Sequence, residues 1–586
     1  MSALDEPTAA QTIAASLTPQ QAEIIALSHQ CTPTEMVLVQ AAAGTGKTTT
    51  IKQFVQARKR VTGGTKETML YVCFNREAVK EARQSDIFRA AHVDILTCNA
   101  LTMKWWHQIY LPSISTATQA APETKEPTNT EHPCLFDHNG RNNLDDNDQD
   151  LIFVGKSPTS AEIIALLGTR LNAVTNTKDR EKAAQFTWYT YEQFLLGPDR
   201  ICIEKHIQRF KTKSFSRGTD RLPYDEFVRH LFSLVQHNNP NMFITFSSID
   251  KLCQLSKYQF LDGRHQPYNI IMVDEAQDWN PCQLALMQHQ NEAAQLFVGD
   301  ANQSLYGFRG ATGELESLKK HTTKVYQLTT SFRFGPKIAE VANRLLWWKG
   351  QVLRERNRDP TCADMRVVGG GGTLGKVVLF EDRKNADPPT IESPVTVLCA
   401  MNKSVVHEVI EMVAQYGSMS NGFMVSFVNS KYKNVKELID QYCSNKKRGS
   451  KVARTLLERC IVYGRDQSNV SARVLTVHYS KGLEFSRVRL GSDLVQLINA
   501  PSSSKDSTWE HMKPDQYGRP TGPIPLRMKP HDDTDLNLWY VAVTRAQHEL
   551  QMNEHWSHFV DISTYAGFRE RFGTFDENES KENDKK

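Results

Sequence analysis

The chain has 586 residues, with 70 Lys and Arg against 66 Asp and Glu, for a net charge of +4. That length calls for several packed modules, and so small a charge neither demands nor excludes a nucleic-acid partner, because what counts is where the charge sits. Eleven scattered cysteines without a C-x-x-C pair argue against a disulfide framework or zinc cluster, no apolar run nears the roughly 18 residues of a membrane span, and the acidic N-terminus MSALDEPTAAQ does not read as a leader. The expectation is a soluble intracellular protein with no membrane partner.

In chain order, Met36–Val39 predicts a buried strand, followed by a Gly-containing turn and a helix with Ile51, Phe54 and Val55 on one face. A second strand, Met69–Phe74, leads into a helix from Arg76. Further strand-then-helix signals fall at Tyr268–Val273, Leu296–Val298, Val395–Cys399 and Val474–Val477. Short apolar, β-branched runs alternating with helical stretches predict an α/β fold of parallel layers. Two segments interrupt it. Residues 112–150 are rich in Ser, Thr, Pro, Asn and Asp and read as a disordered acidic loop, and Gly369–Gly372 reads as a turn or flexible connection. The basic cluster Lys446, Lys447, Arg448, Lys451 and Arg454 reads as a solvated face, with duplex contact or nuclear import as the functional alternative.

The strongest chemical signal is AAAGTGKTTT, Ala41 to Thr50, placed between strand and helix. It matches G-x-x-x-x-G-K-[ST] except that Ala41 takes the first glycine position, with Ala42, Ala43 and Thr45 between. Gly44 and Gly46 let backbone N–H groups wrap a polyphosphate at a helix N-terminus. Lys47 is expected at the β/γ-phosphates of ATP and the Thr48 hydroxyl on Mg²⁺. Over 200 residues later, NIIMVDEAQD is an apolar strand that ends in adjacent carboxylates. Asp274 is expected to hold Mg²⁺ and Glu275 to polarise the attacking water.

With these two elements in one chain, the sequence resembles superfamily 1 helicases of the UvrD/Rep type, whose other signatures follow in order from Leu17 to about Leu550. LTPQQAEII resembles the adenine-reading motif and implies that role for Gln21. VGDANQSLYGFRGA resembles the coupling motif, which implies Gln303 at the γ-phosphate and Tyr306, Phe308 and Arg309 toward DNA. LTTSFRFG implies Arg333 as an arginine finger, with Phe332 stacked on adenine and Thr49 on the opposite face. VLTVHYSKGLEF implies DNA contact by Thr476 and His478 and nucleotide contact by Glu484. YVAVTRA implies Arg545 as the second finger. YVCFNREAVKEA, LCQLSK and LTTSFRFGPKIA are similar to the helicase core of the F-box DNA helicases, and Phe74, Asn75 and Arg76 join the implied DNA path. Only about 17 residues precede the adenine motif, so no F-box and no contact with a ubiquitin ligase through one is expected. The chain departs from the family pattern at Cys98 and Asn99, where an aromatic–histidine pair is usual; Asn99 is kept as a DNA candidate. It departs also at Phe308 (for Trp), Phe332 (for Tyr), Thr49 (for Arg) and Ala400 (for Arg).

The resemblance implies two RecA-like lobes. The first is expected at 1–105 and 261–325, interrupted by a helical 1B insertion at 106–260. The second is expected at 326–440 and 469–574, interrupted by a reduced 2B insertion at 441–468, with a solvated tail at 575–586. The implied activity is ATP- and Mg²⁺-dependent 3′→5′ DNA unwinding in repair or recombination, on single strands and single-/double-strand junctions. In a eukaryote the implied place is the nucleus. A translocase that strips proteins without unwinding, a regulatory protein with a dead ATPase, and RNA as substrate are the competing readings.

Overall fold

The computed structural model describes residues 17–30, 32–62, 67–114, 158–203, 206–207, 222–239, 242–306, 314–355, 357–372, 375–380, 389–418, 422–427, 451–463, 469–491, 493–494 and 532–553. Two parallel sheets organise them. The first has the strand order β3-β2-β4-β5-β1-β6, where β1 is Met36–Ala41, β2 Met69–Cys73, β3 Asp94–Thr97, β4 Ile270–Val273, β5 Ala294–Gly299 and β6 Lys324–Leu328. β1, β2, β4 and β5 are buried along their whole length. That is why they read as continuous apolar runs rather than alternating ones. One face is covered by Phe54, Val55, Val79 and Phe88 from the helices Lys47–Val61, Arg76–Arg83 and Asp86–Ala90. The other carries a helical layer inserted between β3 and β4, including Cys98–Trp105, Ser160–Leu167, Thr177–Leu196, Tyr224–Gln236 and Phe246–Ser256.

The second sheet runs β12-β11-β13-β10-β14-β15-β9, with β9 Lys376–Phe380, β10 Val395–Cys399, β11 Val425–Phe427, β12 Ile461–Tyr463, β13 Ala472–Thr476, β14 Phe485–Leu490 and β15 Ala546–Asn553. A short pair, β7 (Thr330–Ser331) and β8 (Val368–Gly369), links the two. Helices Pro336–Glu355 and Asp532–Val543 pack together on one face of this sheet, and Asn402–Tyr416 on the other.

Two expected boundaries move. β6 pairs with β1 from Val37↔Lys324 to Ala41↔Leu328, so the first lobe runs through Leu328 rather than stopping at 325. Residues 451–463, expected within a 2B insertion at 441–468, instead form the helix Lys451–Cys460 and the edge strand β12, paired with β11 in the second sheet. Ile461, Cys460 and Leu457 are buried against that lobe's own core, which is what holds them there. Residues 112–114, expected in the disordered acidic loop, are helical. The rest of that stretch, 115–150, the other parts of the 441–468 region and the 575–586 tail lie outside the described residues, as do Phe308, Arg309, Lys446, Lys447 and Arg448.

Candidate active site and nucleic-acid interface

The C-terminal ends of the first sheet's strands gather the phosphate loop and the carboxylates, where open parallel sheets place their ligand crevices. β1 ends at Ala41, and Ala42 and Ala43 are fully buried beneath the turn. Gly44 (φ 73°) and Gly46 (φ 74°) take left-handed backbone. A Cβ on Gly44 would stand 2.6 Å from both Arg333 Cβ and Ser331 Oγ, so only glycine fits that approach. Thr45 closes the loop by donating to the Ala42 carbonyl (2.9 Å), and Phe332 N–H donates to the Gly44 carbonyl (2.8 Å). Lys47 and Thr48 open the following helix, half-buried at its N-terminus, while Thr49 is exposed.

Gln21 braces the loop from behind. It is 3% exposed, its Nε2 donates to Thr50 Oγ1 (3.2 Å) and its Oε1 accepts from Thr18 N–H (3.0 Å), closing a capping box. The Phe332 ring lies over the same turn, its carbons 3.8 Å from where a Gly46 Cβ would stand, and is 45% exposed, leaving a face open for a planar ring.

At the end of β4, Asp274 accepts hydrogen bonds from the Tyr71 hydroxyl and from Glu275 N–H (2.8 Å). Glu275 sits at φ 49°, an uncommon conformation for a side chain that is not glycine, of the kind stored at working sites. Its Oε1 is 3.7 Å from Lys47 Nζ. The two carboxylates are pushed apart in acidity. Burial, reinforced by Glu275, raises the pKa of Asp274. Burial presses on Glu275 in the same sense, but Lys47 and Lys481 outweigh it and hold Glu275 below the usual carboxylate range. A buried, oriented carboxylate and a half-buried threonine hydroxyl are both of the kind that suits Mg²⁺, which takes one or two protein ligands and completes its shell with phosphate and water.

Side chains from the second sheet's lobe converge on this site. Arg545, 1% exposed, donates from Nη2 to Gln303 Oε1 (2.7 Å) and from Nη1 to the Leu483 carbonyl (3.2 Å). Burial and the neighbouring Arg333 press its pKa down to about 9, leaving it protonated at neutral pH. Arg333 donates to Glu484 Oε2 (2.7 Å) and to the Thr544 carbonyl (3.0 Å). Gln303, 4% exposed, also donates to Asp300 Oδ2 (2.8 Å).

The nucleic-acid candidates divide. The Phe74 and Tyr306 rings stack, with centroids 5.2 Å apart and planes at 30°, and Tyr306 meets His478 edge-on at 6.3 Å. These half-buried rings form a row that crosses from the first lobe to the second. Burial lowers the His478 pKa, opposed by a backbone hydrogen bond at Leu305 and helped by Lys481. Arg76 is exposed. Asn75 caps the helix that Arg76 opens through its Oδ1, which accepts from Ala78 N–H (2.8 Å). Thr476 is 4% exposed and its hydroxyl accepts from Tyr479 N–H, and Asn99 accepts from Gln283 at 3.4 Å.

Three contributors were not singled out from the sequence. Lys481 pairs with Asp278, donates to the Gln303 carbonyl (2.8 Å) and lies 5.4 Å from the Tyr306 ring centroid. Gln277 donates to Glu275 and accepts from Asp300 N–H (2.9 Å). The Tyr540 hydroxyl accepts from Ala43 N–H at the phosphate loop (3.3 Å). All three lie inside quoted motifs, but nothing in their spacing says which of them meet.

The sequence itself matches known proteins. Residues 17–324 match the UvrD/REP helicase N-terminal domain and residues 197–556 the UvrD-like helicase C-terminal domain. The chain is 24% identical to F-box DNA helicase protein 1 of Schizosaccharomyces pombe over 574 residues, covering 92% of this chain and 57% of that protein. It is 24% identical to F-box DNA helicase 1 of Gallus gallus over 583 residues, 93% of this chain and 50% of that protein. Over 115 residues, 17% of this chain and 16% of the relative, it is 34% identical to DNA helicase IV of Escherichia coli. The chain thus spans little more than half the length of the two F-box relatives. Two parallel-sheet lobes meeting at a phosphate loop, with each domain model matching more than half of the sequence, place this chain in the UvrD/Rep family of helicases, built on two RecA-like lobes.

Proposed function

We propose that the protein is an ATP-dependent 3′→5′ DNA helicase or translocase acting on single-stranded DNA and at single-/double-strand junctions, in repair or recombination. Lys47 binds the β/γ-phosphates, Thr48 and Asp274 would hold Mg²⁺, which would neutralise phosphate charge, and Glu275 takes the proton of the attacking water. Arg333 and Arg545, brought by the opposite lobe, stabilise charge that develops on the transferred phosphoryl group. Polarity and pathway come from the family resemblance alone.

One observation carries the reading: a single short segment, Asp300 to Tyr306, touches both sites. Gln303 is bonded to Arg545 at the nucleotide side, while Tyr306 stacks on Phe74 in the aromatic row. A strand whose bases stack on that row reports its presence to the arginine through three residues of backbone. Steady-state ATP hydrolysis with and without single-stranded DNA, beside Glu275→Gln, tests it. Stimulation by DNA that is abolished in the variant supports a DNA-coupled motor; turnover indifferent to DNA refutes it.

Protein displacement without unwinding is the second reading. Residues 451–463, expected in an accessory insertion, belong to the second sheet, which leaves fewer positions between β11 and β13 for a domain that would engage duplex. Strand separation measured beside displacement of streptavidin from a biotinylated strand distinguishes the two.

A further inference from the structure

Gln277 follows the two carboxylates by two or three positions and has no role in the mechanism above. Yet three of its polar groups are committed. Its Nε2 donates to Glu275 Oε2. Its Oε1 accepts from Asp300 N–H (2.9 Å), and its backbone carbonyl accepts from the Ser304 hydroxyl (3.2 Å). The side chain is 3% exposed. A neighbouring residue is shaped to admit it: a Cβ on Gly299 would stand 2.5 Å from Gln277 Oε1 and 3.1 Å from Ala276 N. Gly299 ends β5, immediately before the segment that carries Gln303 and Tyr306.

We infer that Gln277 is a positioning residue, whose amide holds the Glu275 carboxylate in place with its angle set by the 300–306 segment. An amide meets both demands at once, since Glu275 needs a donor and Asp300 N–H needs an acceptor. A shift of the 300–306 segment pulls on Oε1 and, through the rigid planar amide, moves the donor at Glu275. Gln277 acts through Glu275. The inference rests on the ATPase reading of the site, and its DNA-linked part on the aromatic row.

The test uses the full chain with Gln277→Met, Gln277→Glu and Gly299→Ala. Met removes donor and acceptor at similar volume. Glu keeps the acceptor for Asp300 N–H and replaces the donor with a repelling carboxylate. Ala displaces Oε1 and leaves Gln277 itself intact. The expected result is a loss in kcat for ATP on the order of tenfold to 100-fold in all three, the scale of a misplaced catalytic group, with KM for ATP and affinity for a fluorescent ATP analogue unchanged. Where DNA stimulates the native protein, Gln277→Met and Gly299→Ala also lose most of that stimulation. Unchanged kcat in Gln277→Met and Gln277→Glu overturns the inference, and so does loss of analogue binding in step with kcat, which marks a merely structural glutamine. A native protein that hydrolyses ATP without DNA stimulation refutes the DNA reading, and the DNA-free kcat of the variants still decides the role of Gln277.

Discussion

Arg545 Nη2 and Gln303 Oε1 lie 2.7 Å apart, joining helix-end and loop from opposite lobes through a bond between residues 242 positions apart in sequence. Nearly all of the arginine is buried, yet it stays charged because the Val541 and Leu483 carbonyls and the Gln303 amide accept from it. A charge held in so dry a place is worth far more to a developing phosphoryl anion than the same charge in water.

Arg545→Lys is therefore expected to lower kcat for ATP by on the order of 10³-fold with nucleotide affinity largely kept, as for loss of an arginine finger. A lysine keeps the charge but lacks the planar fork that serves three acceptors at once. Steady-state kinetics beside analogue binding check this. A change confined to KM would contradict it.

Gly44→Ala is expected to abolish nucleotide binding, since its new Cβ meets Arg333 Cβ and Ser331 Oγ at 2.6 Å on a backbone at φ 73°. Gly372→Ala, whose Cβ meets nothing within 4 Å, is the control and leaves binding intact. Titration of a fluorescent ATP analogue reads both.

Phe74→Ala and Tyr306→Ala each remove one ring of the stacked pair. Each is expected to weaken single-stranded DNA binding by roughly tenfold, the lower part of the range for one lost base–aromatic stack. Tyr306→Phe should bind as the native protein does. Fluorescence anisotropy at fixed salt is the measurement, because phosphate contacts change affinity with ionic strength.

Lys481→Met leaves the fully buried Asp278 side chain without its cation. The expected cost is about 3–5 kcal/mol of stability, typical of breaking a buried pair by removing one partner. Adding Asp278→Asn removes the orphaned charge and returns most of that loss. Urea midpoints of the two single variants and the double variant decide it; simple additivity would mean the pair does not interact.

Asp250 supplies a pH prediction away from the nucleotide. Burial between Thr102 (2.6 Å) and Gln283 (2.9 Å) pushes its pKa up to about 6. The folded state holds this proton more tightly than the unfolded chain, so the contribution of Asp250 to stability is complete below about pH 4 and falls as pH rises through about 6. Asp250→Asn, which mimics the protonated acid, is expected to raise the melting temperature at pH 8 and to make no difference near pH 4. The full effect is on the order of 3 kcal/mol, at about 1.4 kcal/mol for each tenfold gain in proton affinity on folding. Equal stabilisation at both pH values would refute the assignment.

Much of this molecule is legible in its one-dimensional pattern, because the relevant physics is local. A buried parallel strand must be apolar throughout, and β1 and β4 are. A phosphate loop needs left-handed backbone where Gly44 and Gly46 stand, and a strand that ends in Asp274 and Glu275 delivers both acids to one edge. What the pattern leaves open is which distant segments share a core. Leu457, Cys460 and Ile461 are apolar enough for an accessory domain or for the lobe itself, and their burial against Val413 and Phe427 settles it for the lobe. Lys481, read as one more cation in a motif, acquires its meaning only from Asp278 and Tyr306, each over 170 positions away. Asn75, read from the sequence as a DNA contact, also caps a helix through its Oδ1, which its motif alone does not reveal. Residue type and spacing determine the chemistry each segment can perform, since backbone conformation and hydrophobic period are short-range properties. Tertiary packing alone decides the partners of Arg545, Lys481 and Gln277, because a buried polar side chain is defined by whichever donors and acceptors the rest of the chain brings within about 3 Å of it.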